Sequence, residues 1–246
     1  MIIGSIHIDK IRQVYPKWNI DKLQYTKLTG FTNKTYKVAN KNLGKNILLR
    51  IYTHLTPNIN MHVLTTCSEA GFGPKILLSY PEGRLESWIY GRVLVHEDLN
   101  ATILNKIAKK LKSFHNIVGY NHNDLNLKNI MILDSGEIQF IDFEYCSKLD
   151  PLFDIANFFT EWMYVYENID WYKPDITLLP TKKQIKMFYN EYASNADNID
   201  KIIDKLPTVH EYWLNWASNI NTQEYNLFKI YRERIKYSDH TTFFKD

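Results

Sequence analysis

Residues Asn121 to Glu144 read NHNDLNLKNIMILDSGEIQFIDFE, and this stretch decides what the rest of the chain must build around it. Two four-residue apolar runs, Ile130–Leu133 and Ile138–Ile141, flank the turn Asp134-Ser135-Gly136-Glu137, which is a β-hairpin signal. A symmetric register sets Leu133 opposite Ile138, Ile130 opposite Ile141 and Asn129 opposite Asp142. Two hard oxygen ligands then reach one end of the ladder from facing strands. Asp124, five residues before Asn129, lies on the loop entering the first strand. An acid, an amide and a second acid converging in this way suit a base for a hydroxyl beside a Mg²⁺ site, because Mg²⁺ takes oxygen donors.

Upstream of this hairpin the chain reads as strands. Leu23–Leu28 alternates apolar and polar residues, a Gly30–Lys34 loop precedes Tyr36-Lys37-Val38, and Asn46–Tyr52 carries the apolar run Ile47-Leu48-Leu49. Asn40–Lys45, with Gly44, is a turn cluster. Asn60–Ser68 predicts a short helix stopped by Gly71-Phe72-Gly73-Pro74, and Lys75–Tyr80 and Arg84–Ile89 predict two further strands. From Asn100 the period changes to helical: Ile103, Leu104, Ile107, Leu111 and Phe114 share a face, with Lys106, Lys109, Lys110 and Lys112 expected toward solvent. Beyond the hairpin, helices are predicted over Asp154–Tyr166, Thr181–Ala193, Pro207–Asn219 and Thr222–Tyr237, with the Glu167–Pro180 connection packed through Trp171 and Tyr172.

Composition bounds the function. At 246 residues and 29.2 kDa, with 45% hydrophobic and 23% charged residues, the chain is an ordinary globular protein of one large or two modest domains. A net charge of +3 with scattered basic residues argues against a nucleic-acid surface or a polybasic membrane anchor. No apolar run is long enough to span a membrane. Two cysteines, Cys67 and Cys146, make no disulfide framework and fit a reducing, cytoplasmic setting. Aromatic residues are uneven: of 12 Phe, 17 Tyr and 6 Trp, 22 fall from Phe143 onward. The second half therefore has a particular use for ring faces.

The spacing Asp124-x-x-x-x-Asn129, followed by Asp142-Phe143 after a hairpin, resembles the catalytic and metal-binding loops of protein-kinase-like phosphotransferases. A GxxxxGK[ST] loop is absent, which removes the Walker-type NTPases. The Gly30–Lys34 loop, with Thr32 and Asn33, offers N–H groups and a hydroxyl to phosphates, although by itself it also reads as a plain hairpin. Arg50 ends an apolar strand where kinases carry a phosphate-pairing lysine; a surface strand-end arginine is the alternative.

Four stretches extend the likeness: LTGFTNKTYKV with ILLRIY; GFGPKILLSYPEGRLESWI; NHNDLNLKNIMIL; and IDFEYCSKLDPLFDIANFFTEWMYVY. Together with the weaker HEYWLNWASNINTQEY, they resemble the choline/ethanolamine kinase family from about Leu28 to Arg234. The resemblance implies an α+β, two-lobed protein-kinase-like fold, with a β-rich nucleotide-binding lobe over 1–88 and a mainly helical lobe over 89–246. It also implies Mg²⁺-dependent transfer of the ATP γ-phosphoryl group to the hydroxyl of choline, with ethanolamine as the alternative. Asp124 then resembles the base, and Asn129 and Asp142 the metal ligands. Gly30, Thr32, Asn33 and Arg50 would hold phosphates, and the hinge from Glu86 to Ile89 would hold adenine. Asn126 and Glu144 match polar and acidic positions near the site. Glu161, Tyr166, Trp213, Trp216 and Glu224 fall where relatives surround the substrate's cationic head.

A trimethylammonium group has no N–H donor, so ring faces and carboxylate charge are what can hold it. Trp213 and Trp216, spaced i and i+3, share one helix face. Two departures stand out. Asn60 stands near the place where the family sets an acid to pair with the strand arginine, and Leu227 and Ile230 stand where it offers tyrosines. Rival readings are an aminoglycoside phosphotransferase and a catalytically silent nucleotide-binding relative. The sequence leaves the oligomeric state open.

Overall fold

The computed structural model describes residues 3–28, 30, 32–57, 59–193 and 199–245, and these divide into two compact units, Met1–Tyr90 and Gly91–Asp246.

The first unit is built on five antiparallel strands: β1 (Gln24–Lys27), β2 (Lys34–Asn40), β3 (Lys45–Ile51), β4 (Ile76–Tyr80) and β5 (Gly83–Ser87), in the order β1-β2-β3-β5-β4. Alternation sorts each strand's residues between two faces. Tyr36, Val38, Ile47, Leu49 and Leu85 pack into one core with Ile11 and Trp18. On β3 and β5 the intervening positions include Arg50, Arg84 and Glu86, and Arg50 lies directly opposite Arg84. Gly83 opens β5 because a Cβ there would lie 2.2 Å from the Arg50 carbonyl oxygen.

Helix α1 (Ser5–Val14), absent from the sequence reading, brings Ile11 into this core. Its N-terminus has no side-chain cap and no acid in its first turn, so the usual start signals are missing. Helix α2 (Met61–Glu69) is capped by Asn60, whose Oδ1 accepts from the Val63 N–H.

In the second unit, β6 (Gly91–Val93), β7 (Ile130–Leu133) and β8 (Ile138–Phe140) form a small sheet in that order. The hairpin forms where expected, but its register is one residue off the symmetric one. Ile132 faces Ile138, Ile130 faces Phe140, and Asn129 sits across from Ile141, whose N–H donates to the Asn129 carbonyl at 3.0 Å. The cause is the turn. Gly136 adopts φ +81°, its N–H donates to Leu133 O, and Leu133 N–H donates to Glu137 O, which makes a three-residue loop with a left-handed glycine. Asp142 therefore stands past the end of the ladder.

Helix α3 (Ala101–Val118) buries Leu104, Ile107, Ala108, Leu111, Phe114 and Val118, and ends at Gly119. Its lysines are not all turned to solvent. Lys106 Nζ donates to Gly136 O at 2.7 Å and Lys110 Nζ to Gln139 Oε1 at 3.4 Å, because the β7–β8 hairpin lies against that side. Helix α4 (Leu152–Thr160) is buried from Phe153 to Thr160 and does not run on to Tyr166 as expected. A 3₁₀ turn, Glu161–Met163, follows it, and Tyr164 is extended. Helix α5 (Lys182–Ala193) packs on α3; α7 (Leu206–Ala217) packs on α4 and on α8 (Gln223–Lys236); and α6 (Ile199–Ile203), missed from sequence, packs on α4 and α5.

Candidate active site

The loop Asn121–Asn129 is fixed from below by one buried carboxylate. Asp154, in the first turn of α4, is fully buried and accepts the backbone N–H groups of His122 and Asn123, each at 2.7 Å, and His115 Nε2 at 2.8 Å. Tyr192 lies 2.7 Å from the other His115 ring nitrogen. Bonds to an ionised acceptor are the stronger kind, so this clamp holds the loop firmly. Asn123 adopts φ +64°, and its side-chain amide donates to Tyr145 O and Ser147 Oγ. His122 is buried among Phe114, Phe140 and Phe143. Its Nε2 bonds Ile141 O at 2.9 Å, and burial holds its pKa below the usual histidine value.

On this base stands Asp124. Its Oδ1 accepts from Asn126 Nδ2 at 2.9 Å and its Oδ2 from Asn129 Nδ2 at 2.7 Å. Asn126 also caps the short 3₁₀ turn Leu127–Asn129, accepting the N–H groups of Lys128 and Asn129. Burial, followed by the negative charges of Glu161 and Asp142, pushes the Asp124 pKa well above the ordinary carboxylate value. A carboxylate displaced in this direction takes up a proton more readily, as a base for a hydroxyl must.

Because the Asn129 amide nitrogen is committed to Asp124, its oxygen is turned away as an acceptor. Asp142, at φ +67° and ψ +62°, is a non-glycine residue in the left-handed region, a conformation that persists only where the surroundings impose it. Among the described residues no three His, Cys, Asp or Glu side chains gather to hold a metal. One amide oxygen and one carboxylate nevertheless fit a Mg²⁺ that draws its other ligands from phosphates and water. Glu144 is buried on the turn after Asp142.

From Leu125, the residue after Asp124, hydrogen bonds lead to a group of rings. Asn157 of α4 donates to Leu125 O at 3.2 Å and accepts Trp213 Nε1 at 2.8 Å, which ties Trp213 to the Asn121–Asn129 loop. Trp216 Nε1 donates to Tyr145 OH at 2.9 Å. Trp171 from the long connection meets Tyr166, Tyr225 and Phe228, at ring separations of 5.9, 5.2 and 5.6 Å. Glu161, expected beside a substrate cation, is 2% exposed; it is ion-paired with Arg232 and accepts the Tyr166 hydroxyl.

Leu227 and Ile230 are outside this cluster. Tyr225 and Phe228 are the residues of α8 whose rings join it. Glu224 is exposed in the first turn of α8, where its carboxylate engages Thr222 and its own backbone N–H. Arg232, Tyr225 and Phe228 were missed from sequence, although their i, i+3, i+7 spacing places them on one helix face.

In the first unit, Arg50 has its acid after all. Glu86 Oε2 lies 3.4 Å from Arg50 Nε, and Glu86 Oε1 lies 2.5 Å from Arg84 Nε, with all three side chains buried. Two guanidinium charges keep the Glu86 carboxyl below the usual carboxylate range in spite of its burial. The acid that the sequence lacks at Asn60 thus stands on β5. Glu86 itself lies within the ladder between Leu48 and Ile76, and Ile89 lies two residues beyond β5. Near Gly30, Thr32 and Asn33 are pinned to a turn: Thr53 Oγ1 donates to Thr32 O, and Thr56 Oγ1 to Asn33 Oδ1 at 2.8 Å. Phe31 of that loop lies outside the described residues.

The fold is kinase-like. Choline kinase from Cryptosporidium parvum superposes with a TM-score of 0.77 at 19% identity, covering 94% of this chain and 93% of that one. An ethanolamine kinase of Plasmodium vivax gives 0.76 at 19% identity, covering 94% and 86%. Residues 26–119 and 116–244 match the family model described as choline/ethanolamine kinase, and the chain belongs to that family. Among named relatives, probable choline kinase 1 of Arabidopsis thaliana is 24% identical over 89% of this chain and 86% of its own length. The human choline/ethanolamine kinase is 26% identical over 62% and 56%, and the ethanolamine kinase of Saccharomyces cerevisiae is 23% identical over 65% and 32%. Among the described residues no helix is long and apolar enough to cross a membrane.

Proposed function

We propose that the chain transfers the γ-phosphoryl group of ATP to the hydroxyl of choline, giving phosphocholine and ADP. The observation that carries this reading is Asp124, a carboxylate with raised proton affinity held by the amides of Asn126 and Asn129 on a clamped loop. In the reaction, Asp124 accepts the hydroxyl proton as the oxygen bonds to the γ-phosphorus and the bond to the ADP oxygen breaks. Asn129 and Asp142 would hold Mg²⁺, which supplies charge neutralisation on the phosphates.

In this reading the first unit binds the nucleotide. Arg50, oriented by Glu86, and the Gly30–Asn33 loop take phosphates, and the segment to Ile89 takes adenine. Choline is favoured over ethanolamine because the residues about Glu161 present rings. The test is ADP release with Mg²⁺-ATP and choline, ethanolamine or an aminoglycoside. Choline should give the highest kcat/KM, and Asp124→Asn should lower kcat by about 10²–10⁴-fold. Preference for the aminoglycoside, or unchanged turnover in the variant, overturns the assignment.

A further inference from the structure

The ring cluster of the second unit already holds a cation of its own. Arg232 on α8 is 1% exposed, and its guanidinium carbon lies 4.6 Å from the centroid of Tyr164, 4.7 Å from Phe228 and 5.9 Å from Trp213. Its Nη2 donates to one oxygen of Glu161, while the Tyr166 hydroxyl donates to the other. Its Nε and Nη1 meet no acceptor among the described residues. Both oxygens of Glu161 are therefore engaged before any ligand arrives, and its charge is balanced at contact distance.

We infer that Arg232 is a specificity-determining residue: by neutralising Glu161 and occupying the faces of Tyr164 and Phe228, it leaves an aromatic wall suited to a quaternary ammonium and withholds the acceptor a primary ammonium needs. The physics is a difference in donors. A primary ammonium loses water from three N–H groups on burial and must find acceptors for them, or bear the cost of leaving them unmade. A trimethylammonium has none to satisfy and is attracted to ring faces. Trp171 and Tyr225, in edge contact at 5.2 Å, and Trp216, 5.7 Å from Tyr225, provide rings that Arg232 does not cover. An ammonium seeking Glu161 would have to share it with a guanidinium already fixed to it. This inference rests on the kinase reading for placing the substrate's cation here.

Equilibrium binding of tetramethylammonium and methylammonium to the full chain, followed by intrinsic tryptophan fluorescence, tests it without turnover. The wild-type chain should bind tetramethylammonium at least tenfold more tightly, and an equal or reversed preference overturns the inference. Arg232→Gln releases Glu161 and should move the ratio toward methylammonium by tenfold or more; an unchanged ratio in the folded variant also overturns it. Should that variant fail to fold, Arg232→Met combined with Glu161→Gln leaves no buried charge unpaired. The preference for tetramethylammonium should persist there, and its loss overturns the inference. ADP release from choline without any cation preference defeats the role of Arg232 and spares the kinase reading. A cation preference without ADP release does the reverse.

Discussion

A single carboxylate between two arginines shows how much one residue can organise. Arg50 and Arg84 face each other directly across β3 and β5, an arrangement of like charges that would by itself be unfavourable. Glu86, diagonal to Arg50 and two residues from Arg84, turns that liability into a fixed network. Glu86→Gln should destabilise the first unit by about 3–5 kcal/mol, the usual scale for stranding a buried charge, and should raise the KM for ATP more than the KM for choline. Chemical denaturation and two-substrate kinetics check this; unchanged stability and an unchanged KM for ATP would remove Glu86 from its orienting role. The spacing of Asp124, Asn129 and Asp142 could be read as a loop, a strand and a hairpin, but the hairpin register that set Asn129 opposite Asp142 is not the one formed. Glu86 was read only as part of a hinge and Arg232 not at all, because an ion pair between residues 36 or 71 positions apart leaves no local pattern.

At the level of elements, strands and long helices followed from their periodicity, whereas turns set the details. Apolar runs about a turn located β7 and β8, but the left-handed Gly136 fixed their register, and with it which residues stand beyond the ladder. Helix α4 was legible as apolar, but its end at Thr160 was not, since its buried Asp154 and Asn157 are explained only by what they touch. Helix α7 and the C-terminal 3₁₀ turn His240–Thr242 meet through two stacked histidines, His210 and His240, whose rings lie 5.9 Å apart. Burial lowers the pKa of both, and Arg232 beside His210 adds to it. The folded chain therefore prefers them neutral while the unfolded chain takes up protons near pH 6.5, so their stabilisation is full above that pH and is lost as pH falls. Tm should drop between pH 7.5 and 5.5, and His240→Phe, which keeps a ring and removes a titrating group, should make the drop shallower. An equally steep drop in that variant would exclude His240 from the effect.

Across the whole molecule, the excess of rings after Phe143 divides between two uses. Phe158, Phe159 and Phe188 form ordinary core, packed against one another at 5.2 to 5.5 Å. Trp213, Trp216, Tyr225 and Trp171 instead join in a chain of ring contacts, and Trp213 lies beside the buried Arg232. The Asp154 clamp has a further consequence, in time as well as in space. Amide protons of surface loops ordinarily exchange with solvent through small local openings. Those of His122 and Asn123 point at a fully buried carboxylate and should exchange only when α4 itself comes away. Hydrogen–deuterium exchange should find them protected on the timescale of Ile155 and Phe158, and rapid exchange would show the clamp to be open in solution. A loop with that behaviour keeps its geometry for as long as its unit stays folded, so any motion that admits a ligand or releases one has to be made by other parts of the chain.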